Sequence, residues 1–323
     1  MSQDPLKVVQ TDPLKESSKP KRDFSSRMVQ QEAAFEARWK NHPGQFNPKK
    51  NAIEKLRVEK TIQLIQSHLK EKNHVLDIGC GFAPFTKTIE EKTSHITLAD
   101  ISAGALQRAP DAQEKCKAAL PQTNFEDQSF DLILCTELLP YLHSKDLRMS
   151  ISELCRLLKP SGTLILSSNI DIYSDDALDR LKKMVETEFK IHDTELTYNS
   201  WLIHLQNFFK APKRYLEALK NPEYCRKELQ KRRGFSRFWF QISTTRLMSL
   251  LYFPLQLVFS PLAWLFTQVE WIATAVEQVC HTFSPIRGMS HAILICSRRP
   301  LFDETHEPPL PDRPPFRKEV KWE

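Results

Sequence analysis

One short run limits the folds open to this chain more than any other: His74-Val75-Leu76-Asp77-Ile78-Gly79-Cys80-Gly81-Phe82-Ala83-Pro84. Val75, Leu76 and Ile78 form the apolar run of a strand buried on both faces. Asp77 stands at its carboxyl end, where open α/β sheets bind ligands. Gly79 and Gly81 then permit a sharp turn and bring backbone close to a bound molecule. The chain has seven glycines in 323 residues, so two within three positions mark a place where a Cβ is unwelcome. The predicted order is strand, tight turn, helix.

A dinucleotide site would need a third glycine three residues after the second, opening a helix onto a pyrophosphate. Position 84 is Pro, preceded by Ala83. An acid at position 77 would also repel a pyrophosphate, whereas it suits an ammonium group.

In chain order, residues 1–25 are polar and charged and are expected to form a disordered tail. Helical patterns cover about 24–39 and 53–69, the second placing Ile53, Leu56, Ile62, Ile65 and Leu69 on one face. After the glycine turn a helix is expected over 85–91, then a strand from His95 to Asp100. A short helix follows over 102–113, broken at Pro110, and a weak strand over 116–120. Phe130–Cys135 is a clear strand, 147–158 a helix closed by Lys159-Pro160-Ser161-Gly162, and Thr163–Ser168 the fifth strand. A helix over 175–187 and a strand over 188–197 continue the alternation, which demands a parallel sheet with right-handed crossovers. The last strand is read at His291–Ser297, after some 90 residues of other character.

Motif, order and spacing together resemble the class I S-adenosylmethionine (SAM) methyltransferases over about residues 52–200 plus the late strand. The resemblance rests on Leu76-Asp77-Ile78-Gly79-Cys80-Gly81, on Asp100 lying 23 residues after Asp77, on Ser129-Phe130-Asp131-Leu132-Ile133 and on Leu158-Lys159-Pro160-Ser161-Gly162-Thr163-Leu164. Ala83 replaces a third glycine, Ser161 another, and Lys117-Ala118 stand where an acid near the adenine is common. The fold implied is α/β, a doubly wound, mostly parallel seven-stranded sheet (Rossmann-like) with N-terminal helices and a helical insertion between strands 6 and 7. The domain would span 26–200 plus 285–299, the insertion 201–284, and a Pro-rich tail 300–323.

The resemblance implies SAM as cofactor and no metal. Asp77 would hold the methionine ammonium, the Gly79-Cys80-Gly81 backbone would run beside the methionine, and Asp100 would hold the ribose. Ile101 would pack on the adenine, Ala118 would border it, and Thr136 would line the floor. For a catalytic base, if one is used, the candidates are Tyr141 and His143, with Glu137, on the loop after the fourth strand. The stretch Glu137-Leu138-Leu139-Pro140-Tyr141-Leu142 is also similar to that of the nodulation-type sugar-amine N-methyltransferases, which keeps a sugar amine open as acceptor.

From Leu247 to Val269 there is no charge, over a length able to span a bilayer, and basic residues cluster before it. A single crossing would strand the last β-strand on the far side of the membrane. Pro254 and Pro261 are expected to break the run into pieces too short to cross. We read the insertion as an interfacial element or a lid, against a helical subdomain or dimer interface. The net charge of +6 argues against a dedicated nucleic-acid binder and permits an anionic surface as partner. Seven cysteines without a Cys-x-x-Cys pair point to a reducing compartment. With no apolar leader after Met1, the expectation is a cytoplasmic protein, peripheral at the inner membrane face, taking a small hydrophobic or lipid-like acceptor. A non-catalytic membrane scaffold on the same fold is the third reading.

Overall fold

The structure is a computed structural model and describes residues 20–299, apart from 173 and 284–287. Seven strands, Val75–Ile78 (β1), Ile96–Asp100 (β2), Glu114–Lys117 (β3), Phe130–Thr136 (β4), Leu158–Asn169 (β5), Phe189–Thr197 (β6) and His291–Arg298 (β7), make one sheet in the order β3-β2-β1-β4-β5-β7-β6. β7 runs antiparallel to both β5 and β6, and the remaining pairs are parallel. Because residues alternate across the sheet, each central strand feeds two cores. Leu76, Ile78, Ile133, Cys135, Leu164 and Leu166 face one side, and Val75, Leu98, Leu134, Ile165 and Ile293 face the other.

The helices that cover these faces are short where the apolar pattern is short. Pro20–Asn41 (α1) and Ala52–His68 (α2) precede the sheet, and Thr86–Glu90 (α3), Ala103–Leu106 (α4), Leu147–Leu157 (α5) and Ala177–Val185 (α6) form the crossovers. Asn51 opens α2 by accepting from the Ile53 N–H at 3.2 Å, and Ser102 opens α4 by accepting from that of Ala105 at 3.3 Å. Ile151, Leu154 and Leu157 of α5 pack on the first core, and Ile65 and Leu69 at the end of α2 on the second.

Several expected boundaries move. Residues 20–25, expected in the disordered tail, begin α1; 1–19 and the Pro-rich 300–323 lie outside the described residues. The helix expected over 102–113 is the single turn α4, since Pro110 cannot continue it. β3 lies at 114–117 rather than 116–120, because pairing with β2 chooses the register. The Lys159–Gly162 stretch is part of β5, which pairs across a register shift with β4, rather than a separate closing turn.

The insertion folds as six helices: Ser200–Phe209 (α7), Ala211–Lys220 (α8), Pro222–Lys231 (α9), Gly234–Ser243 (α10), Arg246–Gln268 (α11) and Glu270–Phe283 (α12). Pro254 and Pro261 do not divide α11. Each removes one backbone donor, but Tyr215 stacks on Tyr252, and Phe208 and Phe209 pack on Phe259, holding the helix on either side. Leu202 of α7 and Ile272 and Ala273 of α12 bury Ala52 and Ile53 of α2 in a third core. Lys60 of α2 pairs with Glu277 of α12 at 2.7 Å. The insertion is thus anchored on the helix that leads into β1.

Candidate active site

The glycine turn sits at the carboxyl ends of β1 and β2. Gly79 and Gly81 adopt φ of +74° and +54°, a left-handed conformation that the absence of a Cβ makes inexpensive. Ala83 takes φ +46° at the position of the missing third glycine, so the turn keeps its shape with an alanine. The Gly79 and Cys80 N–H groups both donate to the Ala99 carbonyl, at 2.8 and 3.1 Å.

Asp77 pairs in register with Leu98, so Asp100, two residues on, points to the same side of the sheet. Asp100 Oδ2 accepts from the Gly81 N–H at 3.0 Å and Oδ1 from the Ser102 N–H at 2.9 Å. Each oxygen keeps a second lone pair for a ligand hydroxyl. Burial pushes the Asp100 pKa up, opposed by these N–H donors. Asp77 is buried, and among the described residues neither of its carboxylate oxygens has a hydrogen-bond partner. Burial, with the Asp100 charge adding to it, pushes its pKa up to about 7.

These groups border a cavity of about 580 Å³, a size suited to a small-molecule site. Gly79, Cys80, Gly81, Asp100, Ile101, Ala118 and Thr136 all line it; Asp77 is not among the lining residues, although Ile78 beside it is. The opposite wall comes from α1 and the turn after it: Trp39 stacks on Phe46 at 4.7 Å between centroids, and Phe35 meets Tyr141 edge-on at 5.5 Å. Glu36 of α1 accepts from the Gly104 N–H at 3.3 Å, tying this wall to α4.

The two expected base candidates separate. Tyr141 lines the cavity, with its phenol pushed up by burial and by Glu137, which leaves it a cavity wall and a poor base at neutral pH. His143 is exposed, lies outside the lining, and uses Nδ1 to accept from the Lys145 N–H at 3.2 Å within its own turn. It caps that turn. Cys80, although in the lining, is held as a thiol by burial and by the Asp77 charge.

A partly buried ionic cluster in the cavity wall joins Glu137 to Glu54, Arg57 and His291, three residues not among those expected from the sequence. Arg57 Nε donates to Glu54 Oε2 at 2.9 Å and lies 3.8 Å from Glu137 Oε1. His291 Nε2 stands 3.5 Å from Glu54 Oε1 and 3.9 Å from Glu137 Oε2. Burial alone would raise the Glu54 pKa, but hydrogen bonding from His291 and the Arg57 guanidinium outweigh it and hold it at about 2. Glu137 adopts φ +55°, strain of the kind that gathers at functional sites, and its Oε1 accepts from Ser167 Oγ at 3.0 Å. Arg57 is only 5% exposed, and among the described residues its Nη1 has no partner. The signal was present in the sequence: Ile53, Arg57, Thr61 and Ile65 recur every four residues, so a charge interrupts a buried stripe.

With this geometry in place, the comparison with known proteins is direct. The family model described as a methyltransferase domain matches residues 76–166, from β1 through most of β5. The chain carries a class I SAM-dependent methyltransferase domain. An uncharacterized protein of Methanocaldococcus jannaschii is 29% identical over 154 residues, covering 47% of this chain and 64% of that protein. The malonyl-[acyl-carrier protein] O-methyltransferase of Calditerrivibrio nitroreducens is 25% identical over 164 residues, covering 50% and 62%. The chain therefore spans less than two thirds of the length of either relative. The N-methyltransferase NodS from Bradyrhizobium japonicum, solved with S-adenosyl-L-homocysteine, is 20% identical, with a TM-score of 0.45 over 51% of this chain and 89% of that one.

The site of this methyltransferase domain fits its cofactor. Among the described residues a carboxylate, Asp77, and a guanidinium nitrogen, Arg57 Nη1, are both buried without partners, and the methionine end of SAM carries one ammonium and one carboxylate of matching charge. Asp100, Gly79 and Gly81 line one and the same cavity.

Proposed function

We propose that this protein transfers a methyl group from SAM to a small hydrophobic or lipid-like acceptor at a membrane surface. The observation that carries the reading is the pair of orphaned buried groups, Asp77 and Arg57 Nη1, beside a cavity partly lined by aromatic rings. When bound, SAM supplies an electrophilic methyl on a sulfonium, so the chain's own task is placement and exclusion of water. Asp77 would hold the ammonium, Arg57 the carboxylate and Asp100 the ribose hydroxyls. Phe35, Trp39, Phe46 and Tyr141 would wall off an apolar acceptor from solvent.

Relatives named as O-methyltransferases, among them a ubiquinone biosynthesis O-methyltransferase of Alkalilimnicola ehrlichii that is 26% identical, support a hydroxyl on such an acceptor. Glu137 favours a second reading, an amine acceptor whose proton this carboxylate at the cavity wall could take. Labelled-methyl transfer into lipid and polar extracts of the source cell separates the two: label in the lipid fraction supports the first, and label confined to polar amines overturns it. Calorimetry with S-adenosylhomocysteine tests the fold-level premise. Absent binding, or binding indifferent to Asp100→Ala, would leave only the scaffold reading.

A further inference from the structure

Two consecutive helices of the insertion turn an apolar face outward. On α10, Phe235, Phe238, Trp239 and Ile242 fall at i, i+3, i+4 and i+7 and are all exposed, while Phe240 and Ser243 behind them are buried. On α11 the exposed stripe continues through Leu247, Leu250, Leu251, Leu257, Val258 and Trp264, with Leu247 76% and Leu250 74% exposed. The other side of α11 already packs on α7 and α8. A helix apolar all round is at home only with apolar matter on both sides, and among the described residues one side has none.

Within the two helices and the turn before them, the formal charge has one sign. From Leu229 to Val269 the chain carries Lys231, Arg232, Arg233, Arg237 and Arg246 and no acid, and Arg233 and Arg237 are exposed. A second copy of the chain laid on the face would set like charges together, whereas anionic headgroups would neutralise them and accept the apolar stripe. Leu250–Gln268 is long and apolar enough to cross a bilayer, but β7, which follows it, pairs with β5 and β6, so both ends of α11 stay on one side.

We propose that the outward face of α10 and α11 lies in the plane of a bilayer containing anionic lipid, with Arg233 and Arg237 at the phosphates and the apolar stripe at the headgroup–acyl boundary. This names the partner of the membrane-surface reading above and rests on it; methyl transfer is measured apart from it. α11 also supplies Thr267 to the cavity wall, so docking sets the cavity beside the membrane from which an apolar acceptor would enter.

The test is flotation of the full chain with phosphatidylcholine vesicles, with and without about 30% phosphatidylglycerol. The wild type is expected to float with the anionic vesicles. Leu250→Asp/Leu257→Asp and Arg233→Glu/Arg237→Glu are each expected to lower the bound fraction about tenfold or more. All four side chains are exposed, so unchanged melting and S-adenosylhomocysteine binding should show that the variants are folded. The proposal is overturned if the wild type does not float, if it floats equally with neutral vesicles, if the folded variants float as well as wild type, or if sedimentation shows a stable dimer that the Leu variants dissociate.

Discussion

Asp77 carries an energetic cost that only a ligand can return. Its folded pKa of about 7 lies above the roughly 4 of an unfolded Asp, so folding takes up a proton between those values. The ligand-free protein should therefore lose stability as pH rises from about 4 to about 7, by a few kcal/mol, and level off above. Asp77→Asn should flatten that slope in thermal melts and be more stable than wild type at pH 8, while binding cofactor at least about tenfold more weakly. An ammonium needs the ionised carboxylate, so wild-type affinity should fall about tenfold per pH unit below about 7, with proton uptake by Asp77 opposing it. Calorimetry in buffers of different ionisation enthalpy would detect the proton released on binding. A pH-independent affinity would show that Asp77 does not face the cofactor.

Arg57 makes a matching case. Arg57→Met leaves Glu54 and Glu137 without their cation and removes the unpaired Nη1. Cofactor affinity should fall roughly ten- to a hundredfold, as for a hydrogen bond to a charged group. Glu54 would lose its guanidinium and titrate at higher pH, moving the acid limb of the stability curve upward. Asp77 and Asp100 were legible as a pair because motif spacing and strand parity both point to one face. Arg57 and His291 come from elements 234 residues apart that meet only through the folded sheet, and no local pattern announces that meeting.

At the scale of elements, two features invite substitution. Gly79 has φ +74°, and a Cβ there would come within 3.0 Å of Leu138 Cδ1. Gly79→Ala should cost about 1–2 kcal/mol, read from denaturant unfolding, and weaken cofactor binding further. In α11 the two prolines lie exposed within a continuous helix. Pro254→Ala should stabilise it locally by up to about 3 kcal/mol, seen as slower amide exchange near 250–258. The expectation that these prolines end the helix failed because local propensity was outweighed by aromatic packing from α7 and α8. Strand existence was legible from the buried runs, whereas strand limits such as those of β3 and β5 depended on which partner each strand found.

At the scale of the whole molecule, β7 closes the sheet. It sits between β5 and β6, so every helix of the insertion is bracketed by strands that must pair on one side of any membrane. A chain ending at Gly288 would leave β6 without a neighbour, and its urea transition should broaden and lose cooperativity. A sharp, unshifted transition would mean that the sheet does not need β7.

The amino-acid order alone determined the α/β alternation, the glycine turn and the two acids beside it. These are short-range matters of period, chain reversal and strand parity, and each is written within a few residues. Tertiary structure decided the rest: that α1 and α2 wall the cavity, that Arg57, Glu137 and His291 gather in its lining, and that half of α11 is left facing outward. Such facts depend on which distant surfaces bury one another, and burial is a property of the assembled chain rather than of any segment in it.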